Sequence, residues 1–87
     1  MKYKLIDGVF FHEEEGKRFA INTNNNNVFE LNEVANIIFD SIEKGKGHSE
    51  IFQIICNSFS EIDTKEATAD LESFIFLLKE EKFIEEI

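Results

Sequence analysis

The residues of this chain best suited to covalent or metal chemistry are its histidines, His12 and His48, and its single cysteine, Cys56. Metal sites and nucleophilic centres need such residues at short, recurrent spacings or beside a partner base. These three match no such spacing, and no G-x-S-x-G turn occurs. The "GKG" at 45–47 lacks the other residues of a phosphate-binding loop. The sequence therefore predicts a non-catalytic protein that binds no metal or cofactor.

The charge balance narrows the class of partner. The formal net charge is −9, whereas nucleic-acid binders gain most of their affinity from Lys and Arg. Acidic surfaces also repel anionic membranes. Glutamate runs such as Glu13–Glu15 are typical of solvated faces and mark no acid–base pair. We expect no nucleic-acid or membrane partner, and a basic or neutral peptide suits this surface.

Targeting and domain signals are sparse. No apolar run approaches the length of a membrane span, and "MKYKLIDGVF" has no cleavage site of small residues. One cysteine cannot form an internal disulfide, which suits the cytoplasm. With no repeat or linker in a chain of 87 residues, residues 1–87 are predicted to form a single domain.

The first third of the chain has the pattern of short β-strands. The segments "GVFFHEE" and "KRFAIN" flank Gly16 and predict a hairpin. The asparagines within 22–27 predict a turn of little intrinsic order. "NVFEL" is the third predicted strand, and a short extended piece is predicted at Phe83 and Ile84.

After Leu31 the apolar spacing becomes that of helices. Asn32 is predicted to cap the first helix, Gly45 to end it, and Asp63 or Thr64 to cap the third. The predicted core stripes are Val34, Ala35, Ile38 and Ile42; Ile51, Ile54, Ile55 and Phe59; and Ala67, Leu71, Phe74, Ile75 and Leu78. The order is β-β-β-α-α-α, so the fold class is α+β, with a three-stranded antiparallel sheet covered by helices.

The third helix has more apolar surface than one core face can bury. At about 100 degrees per residue, Phe76 lies opposite the stripe, and Leu77 lies on a flank with Asp70 and Phe74. Isolated exposed apolar residues are common, and the C-terminal tail could also cover this surface. The functional alternative is a groove for an apolar partner.

The third strand is a second candidate binding surface. Phe29 and Leu31 share one of its faces, and Val28 and Glu30 share the other. Since this strand follows a hairpin of the first two, it is expected at the edge of the sheet. Its unpaired N–H and C=O groups could then accept an added peptide strand.

Two segments resemble the PqqD-like family, the RiPP recognition elements of ribosomal peptide pathways. "VFELNEVANIIFDSIEKGKGHSEI" is similar to the family's hydrophobic-x-x-Leu-Asn-x-x-Ala motif and to the apolar helix and Gly-containing turn that follow it. "DLESFIFLLKEEKFIEE" is similar to its Asp-hydrophobic-x-x-Phe-hydrophobic-x-x-Leu ending. Together with the predicted elements, the resemblance covers nearly the whole chain. It implies a winged-helix-like fold and a non-catalytic adaptor that binds a precursor's leader peptide.

The resemblance also implies how the peptide binds and which residues it contacts. The leader would add as an antiparallel strand to the third strand, against the third helix, and would be presented to a radical SAM maturase, a cyclase or a leader peptidase. The implied contacts are Val28, Phe29, Glu30 and Leu31 on the strand, Asp70, Phe74 and Leu77 on the helix, and Lys65 or Lys79 as partners for a leader carboxylate.

The sequence departs from the family pattern at two places. Gly47 stands where Thr or Ser often caps the second helix, and glycine can also serve as a cap. Phe76 and Leu77 stand at positions that are often polar. They indicate an unusually apolar leader, or a contact with the modifying enzyme or a second copy of the chain.

Two other functions fit the predicted elements. Three helices and a sheet could form a winged-helix transcription regulator that binds DNA, although the third helix has few basic residues. Alternatively, Phe76 and Leu77 could form the interface of a homodimer.

Overall fold

The structure, a computed structural model, describes residues 1–87. Its elements in chain order are β1 (Tyr3–Leu5), β2 (Val9–Glu14), β3 (Lys17–Asn22), β4 (Asn27–Leu31), α1 (Glu33–Glu43), α2 (His48–Ser58), α3 (Thr64–Glu80) and β5 (Ile84–Glu86). An antiparallel sheet β2-β3-β4 and three helices confirm the predicted α+β class. No helix has the length and apolarity that crossing a membrane requires.

The sheet is built from two consecutive hairpins. Glu15 and Gly16 connect β2 to β3 with φ values of 52° and 79°, the left-handed pair that a tight two-residue hairpin turn requires. Ala20 lies between Phe11 and Phe29 in the register of the three strands. Ala20 is fully buried, so this row belongs to the inner face of the sheet, which packs on the helices.

The inner face carries the core contacts of the sheet. The ring of Phe11 packs edge-on against Phe39 of α1, with the centroids 4.6 Å apart. Phe29 packs against Phe83, with the centroids 4.9 Å apart. The predicted alternation of β4 is confirmed: Phe29 and Leu31 face the core, and Val28 and Glu30 face solvent.

A second sheet of two strands was not predicted as such. β1 pairs with β5 through the register Tyr3 to Glu86 and Leu5 to Ile84. Only the extended piece at Phe83 and Ile84 was predicted. Strands of three residues are too short for an alternation pattern to identify, and these two pair across nearly the whole length of the chain.

Local signals at the helix ends are confirmed. Asn32 Oδ1 accepts the Ala35 N–H at 2.8 Å, and Asp63 Oδ1 accepts the Glu66 N–H at 2.7 Å. Gly45 follows α1 with φ of 80°. The Gly47 N–H, at the start of α2, donates to Glu50 Oε1 at 3.1 Å.

The predicted core stripes contribute most of one cluster of 16 buried apolar residues. Four residues of the predicted stripes lie outside this cluster and are only partly buried: Val34, Ile54, Phe59 and Phe74. Val34 and Phe74 lie on one surface between α1 and α3.

The asparagine-rich turn is more ordered than its composition predicts. Asn22 is 1% exposed; its Nδ2 donates to the Lys82 carbonyl at 2.7 Å, and its Oδ1 accepts the Asn24 N–H at 2.8 Å. Asn24 Nδ2 donates to the Asp7 carbonyl at 2.7 Å, and Asn27 Nδ2 donates to Glu81 Oε2 at 2.7 Å. The expectation of little order was wrong, because these amides bind the β3–β4 loop to the end of α3 and to the β1–β2 loop.

Candidate functional site

β4 is an edge strand, since its only partner in the sheet is β3. The side of β4 away from β3 is called the β4 edge below. In antiparallel sheets, residues that direct their N–H and C=O groups to one neighbour alternate with residues that direct them to the other side. The Thr23 N–H donates to the Gly8 carbonyl at 2.9 Å, so the backbone of Thr23 faces the β2 side. By the same alternation, Ile21 and Phe19 also bond to β2, and Ala20, which lies between them, bonds to β4.

The same alternation continues into β4. Ala20 is paired with Phe29 and Arg18 with Leu31, so the backbone groups of Phe29 and Leu31 are used within the sheet. The N–H and C=O groups of Val28 and Glu30 therefore point outward along the β4 edge. Both residues are exposed, which leaves two donors and two acceptors open to a further strand.

A groove lies between α1 and α3, beside the end of β4. This α1–α3 groove has a volume of about 280 Å³. Its lining consists of Asn32, Val34, Ala35, Ile38, Asp70, Ser73, Phe74 and Leu77. Its apolar wall is partly open, because Leu77 is 40% exposed whereas Ile38 at the base is fully buried.

Asn32 joins the groove to the β4 edge. It lines the α1–α3 groove and also borders a second hollow at the end of the sheet. The other residues of that hollow are Gly16, Lys17, Arg18, Glu30, Leu31, Glu33 and Asn36. Asn32 directly follows β4 and caps α1, so the last residue of the strand and the first turn of the helix meet here. Open backbone groups and an apolar groove are thus adjacent surfaces.

The structure brings three of the predicted contacts together in the groove. Asp70, Phe74 and Leu77 line it from α3, as helical spacing places them on one flank. Phe76, the next-door neighbour of Leu77, lies on the other flank and is 64% exposed.

The strand residues divide between two faces. Phe29 and Leu31 point inward and are partly or fully buried. Val28 and Glu30 point outward; Val28 is 55% exposed and continues a row across the sheet with Ile21 and Phe10. Any peptide contact of Val28 and Glu30 would therefore use their backbone groups and the outer face of the sheet.

The two predicted lysines lie away from the groove. Lys65 shares a helical stripe with Glu72 and Phe76 on the far flank of α3, and it is not in the groove lining. Lys79 Nζ is 3.0 Å from Glu86 Oε1 on β5 and 5.3 Å from the centre of the Tyr3 ring. Contacts of these lysines with a peptide stay a prediction.

The groups with chemical potential are not assembled into a reactive centre. The structure contains no group of three or more His, Cys, Asp or Glu side chains placed to hold a metal ion. The Tyr3 hydroxyl lies 2.9 Å from His48 Nδ1, and burial raises the pKa of that tyrosine. This pair joins β1 to α2, on a different side of the fold from the groove.

Several groove residues had not been predicted as contacts. Val34, Ala35 and Ile38 were assigned to the core stripe of α1, and Ser73 had no assigned role. Val34 is half-buried in the structure. In the sequence, the only local sign that it borders a surface is its position as the first residue of the stripe. Their part in the groove depends on how α1 packs against α3, which helical periodicity does not reveal.

Comparison with protein families identifies the chain. The family model described as Coenzyme PQQ synthesis protein D (PqqD) matches residues 9–84. The chain therefore belongs to the PqqD family, as its sequence motifs indicated.

Two solved structures share the fold. One, described as TbiB1 in complex with the TbiA(beta) leader peptide, is 24% identical, with a TM-score of 0.84 over 97% of this chain and 96% of its own. The other, described as lasso peptide synthetase B1 complexed with the leader peptide, is 15% identical, with a TM-score of 0.85 over 99% of this chain and 100% of its own. No curated protein matches the chain. At these identities the likeness establishes the fold.

Proposed function

We propose that this protein binds the leader segment of a ribosomally made precursor peptide and presents it to a modifying enzyme. The observation that carries the proposal is the adjacency of the open β4 edge and the α1–α3 groove. Membership of the PqqD family and the two similar structures, both described as complexes with leader peptides, support it.

The backbone geometry supports binding by strand addition. Val28 and Glu30 together offer two N–H donors and two C=O acceptors on the open side of β4. An added antiparallel strand would satisfy all four with its own backbone. Backbone bonds of this kind give affinity with little dependence on sequence.

Side-chain direction would supply the selection. Residues directly opposite each other on antiparallel strands point to the same face. Leader residues opposite Phe29 and Leu31 would therefore point inward, toward the groove wall of Val34, Phe74 and Leu77. The residue between them, opposite Glu30, would point to the outer face.

The bound leader would then be handed to a second protein. The enzyme would be a radical SAM maturase, a cyclase or a leader peptidase, and this chain would act as a non-catalytic adaptor. A recognition domain that holds the leader by its backbone leaves the rest of the precursor free to enter such an enzyme.

The test uses the short reading frames encoded beside this gene. The N-terminal half of each is synthesised with fluorescein and titrated with the protein in an anisotropy assay. Saturable binding of one neighbour-encoded peptide, and not of a scrambled version, is the expected result. Absence of binding by every such peptide would contradict the proposal.

The same preparation tests the alternative of a winged-helix regulator. Among the charged residues of α3, Lys65 and Lys79 are outnumbered by four carboxylates, Glu66, Asp70, Glu72 and Glu80. We expect no sequence-specific DNA shift at low salt. A specific shift would favour the regulator.

A further inference from the structure

The surfaces that would hold the leader carry unpaired negative charge. Glu30 lies on the β4 edge, Glu33 in the first turn of α1, and Asp70 on the groove wall. None of the ion pairs in the structure includes these carboxylates; the lysines that form pairs are Lys4, Lys44, Lys46 and Lys79.

Two cations border the second hollow, but both belong to β3. The Arg18 guanidinium lies 4.1 Å from the centre of the Phe11 ring, so it leans toward β2. Lys17 lies at the start of β3 and forms no ion pair with Glu30 or any other carboxylate. Both cations belong to the strand behind β4 and not to its open edge.

The second hollow contains an unused acceptor and an unused donor. Asn36 Oδ1 and Arg18 Nε are buried without a hydrogen-bond partner, and both residues line this hollow with Glu30 and Glu33. These two groups lie within the protein, whereas Glu30 is exposed on the β4 edge itself, so an occupant of that edge with a positive charge would complement it.

We infer that the leader recognised by this chain carries Lys or Arg at the position opposite Glu30, between the two residues that enter the α1–α3 groove. This inference rests on the proposed strand addition. Opposite charges on directly facing residues of antiparallel strands attract, and like charges destabilise the pairing. A leader with Asp or Glu at that position is disfavoured.

The test is selection from a random library of twelve-residue peptides displayed on yeast, sorted with the labelled protein. The wild-type protein is expected to enrich apolar-basic-apolar triplets. Glu30→Lys should enrich Asp or Glu at the central position. Glu13→Lys is the matched control, because Glu13 is an exposed glutamate of β2; it should select the same peptides as the wild type.

One selected peptide is then synthesised with its central residue as Lys and as Glu. Changing Lys to Glu should weaken binding to the wild type about two- to thirtyfold, because an attraction becomes a repulsion. Glu30→Lys should reverse that preference. The preference of the wild type should shrink as salt is raised, as expected for a solvent-exposed pair.

Two kinds of failure are distinguishable. If apolar-x-apolar peptides are enriched without a basic centre, or if Glu30→Lys selects the wild-type peptides, the charge assignment is wrong and strand addition stands. If Leu77→Asp enriches the same peptides as the wild type, or if no peptide is enriched, the groove and the proposed function fail together with the charge assignment.

Discussion

The two edges of the three-stranded sheet are alike in pairing and different in surroundings. β2 and β4 each have β3 as their only partner, so each has one row of open backbone groups. On β2 these belong to Phe11 and Glu13, since Phe10, His12 and Glu14 bond to β3 and the Val9 N–H donates to the Ile6 carbonyl at 3.1 Å. Open edges can pair with other chains, and proteins usually protect them.

The protection differs between the edges. β2 ends in the exposed residues His12, Glu13 and Glu14, followed by Glu15 in the turn, and such charge discourages strand pairing. β4 is shorter, has one glutamate, and continues directly into the cap of α1 beside an apolar groove. Under the proposed function, the adjacent groove is the feature that would make β4, and not β2, the docking edge, because it could hold the side chains of an added strand.

The largest expected effect is that of proline at the β4 edge. Glu30→Pro removes an outward N–H and places a ring against the incoming strand. We expect leader affinity to fall about ten- to a hundredfold, from one lost hydrogen bond and the clash. The fold should persist, because proline is tolerated where the N–H faces away from the sheet.

Glu13→Pro on β2 is the control for this prediction. It removes a glutamate and an outward N–H from the other edge, so leader affinity should stay within about twofold of the wild type if only β4 docks. Anisotropy titration measures both variants. Equal losses in the two would mean that the edges do not differ in function.

The β3–β4 loop and the β2–β3 turn should also differ in how much they contribute to the free energy of unfolding. Asn22→Ala leaves the Lys82 carbonyl and the Asn24 N–H without their partners. We expect the free energy of unfolding to fall by about 1–3 kcal/mol in urea titrations. Lys17→Ala, at the exposed start of the same strand, should change it by less than about 0.5 kcal/mol. Equal losses of unfolding free energy in Asn22→Ala and Lys17→Ala would show that the Asn22 contacts do not stabilise the fold.

Neighbouring residues of α3 provide the third comparison. Leu77→Asp places a carboxylate in the apolar groove beside Asp70, and leader affinity should fall about tenfold. Phe76→Asp alters a more exposed residue on the other flank, and affinity should change by less than about twofold.

Sedimentation of the wild type and of Phe76→Asp complements these titrations, because the exposed Phe76 is also the candidate for self-association. If Phe76→Asp abolishes leader binding and Leu77→Asp does not, the groove has been placed on the wrong flank of α3.

Much of this could be predicted from the sequence, because it is local. Asn32 and Asp63 cap helices through side chains three residues from their partners, and Gly16 marks the hairpin turn. Asp70, Phe74 and Leu77 share a flank of α3 by helical period alone. The edge position of β4 followed from the order of the strands.

The remaining features depend on long-range packing. The β1–β5 pair joins the two ends of the chain, and Asn22 binds a carbonyl 60 residues away. Val34 borders the groove because of where α3 lies, not because of its own neighbours in sequence. Alternation puts Ala20 on the opposite face from Phe19 and Ile21, but only the pairing of Ala20 with Phe11 and Phe29 makes its face the inner one.

Amide hydrogen exchange, followed residue by residue by NMR, tests strand addition most directly. The protein is measured alone and saturated with the neighbour-encoded leader peptide that binds it. We predict that the Val28 and Glu30 N–H groups become protected in the complex and that those of Phe11 and Glu13 do not change. Binding without protection at Val28 and Glu30, or with protection on β2 instead, would contradict docking at the β4 edge.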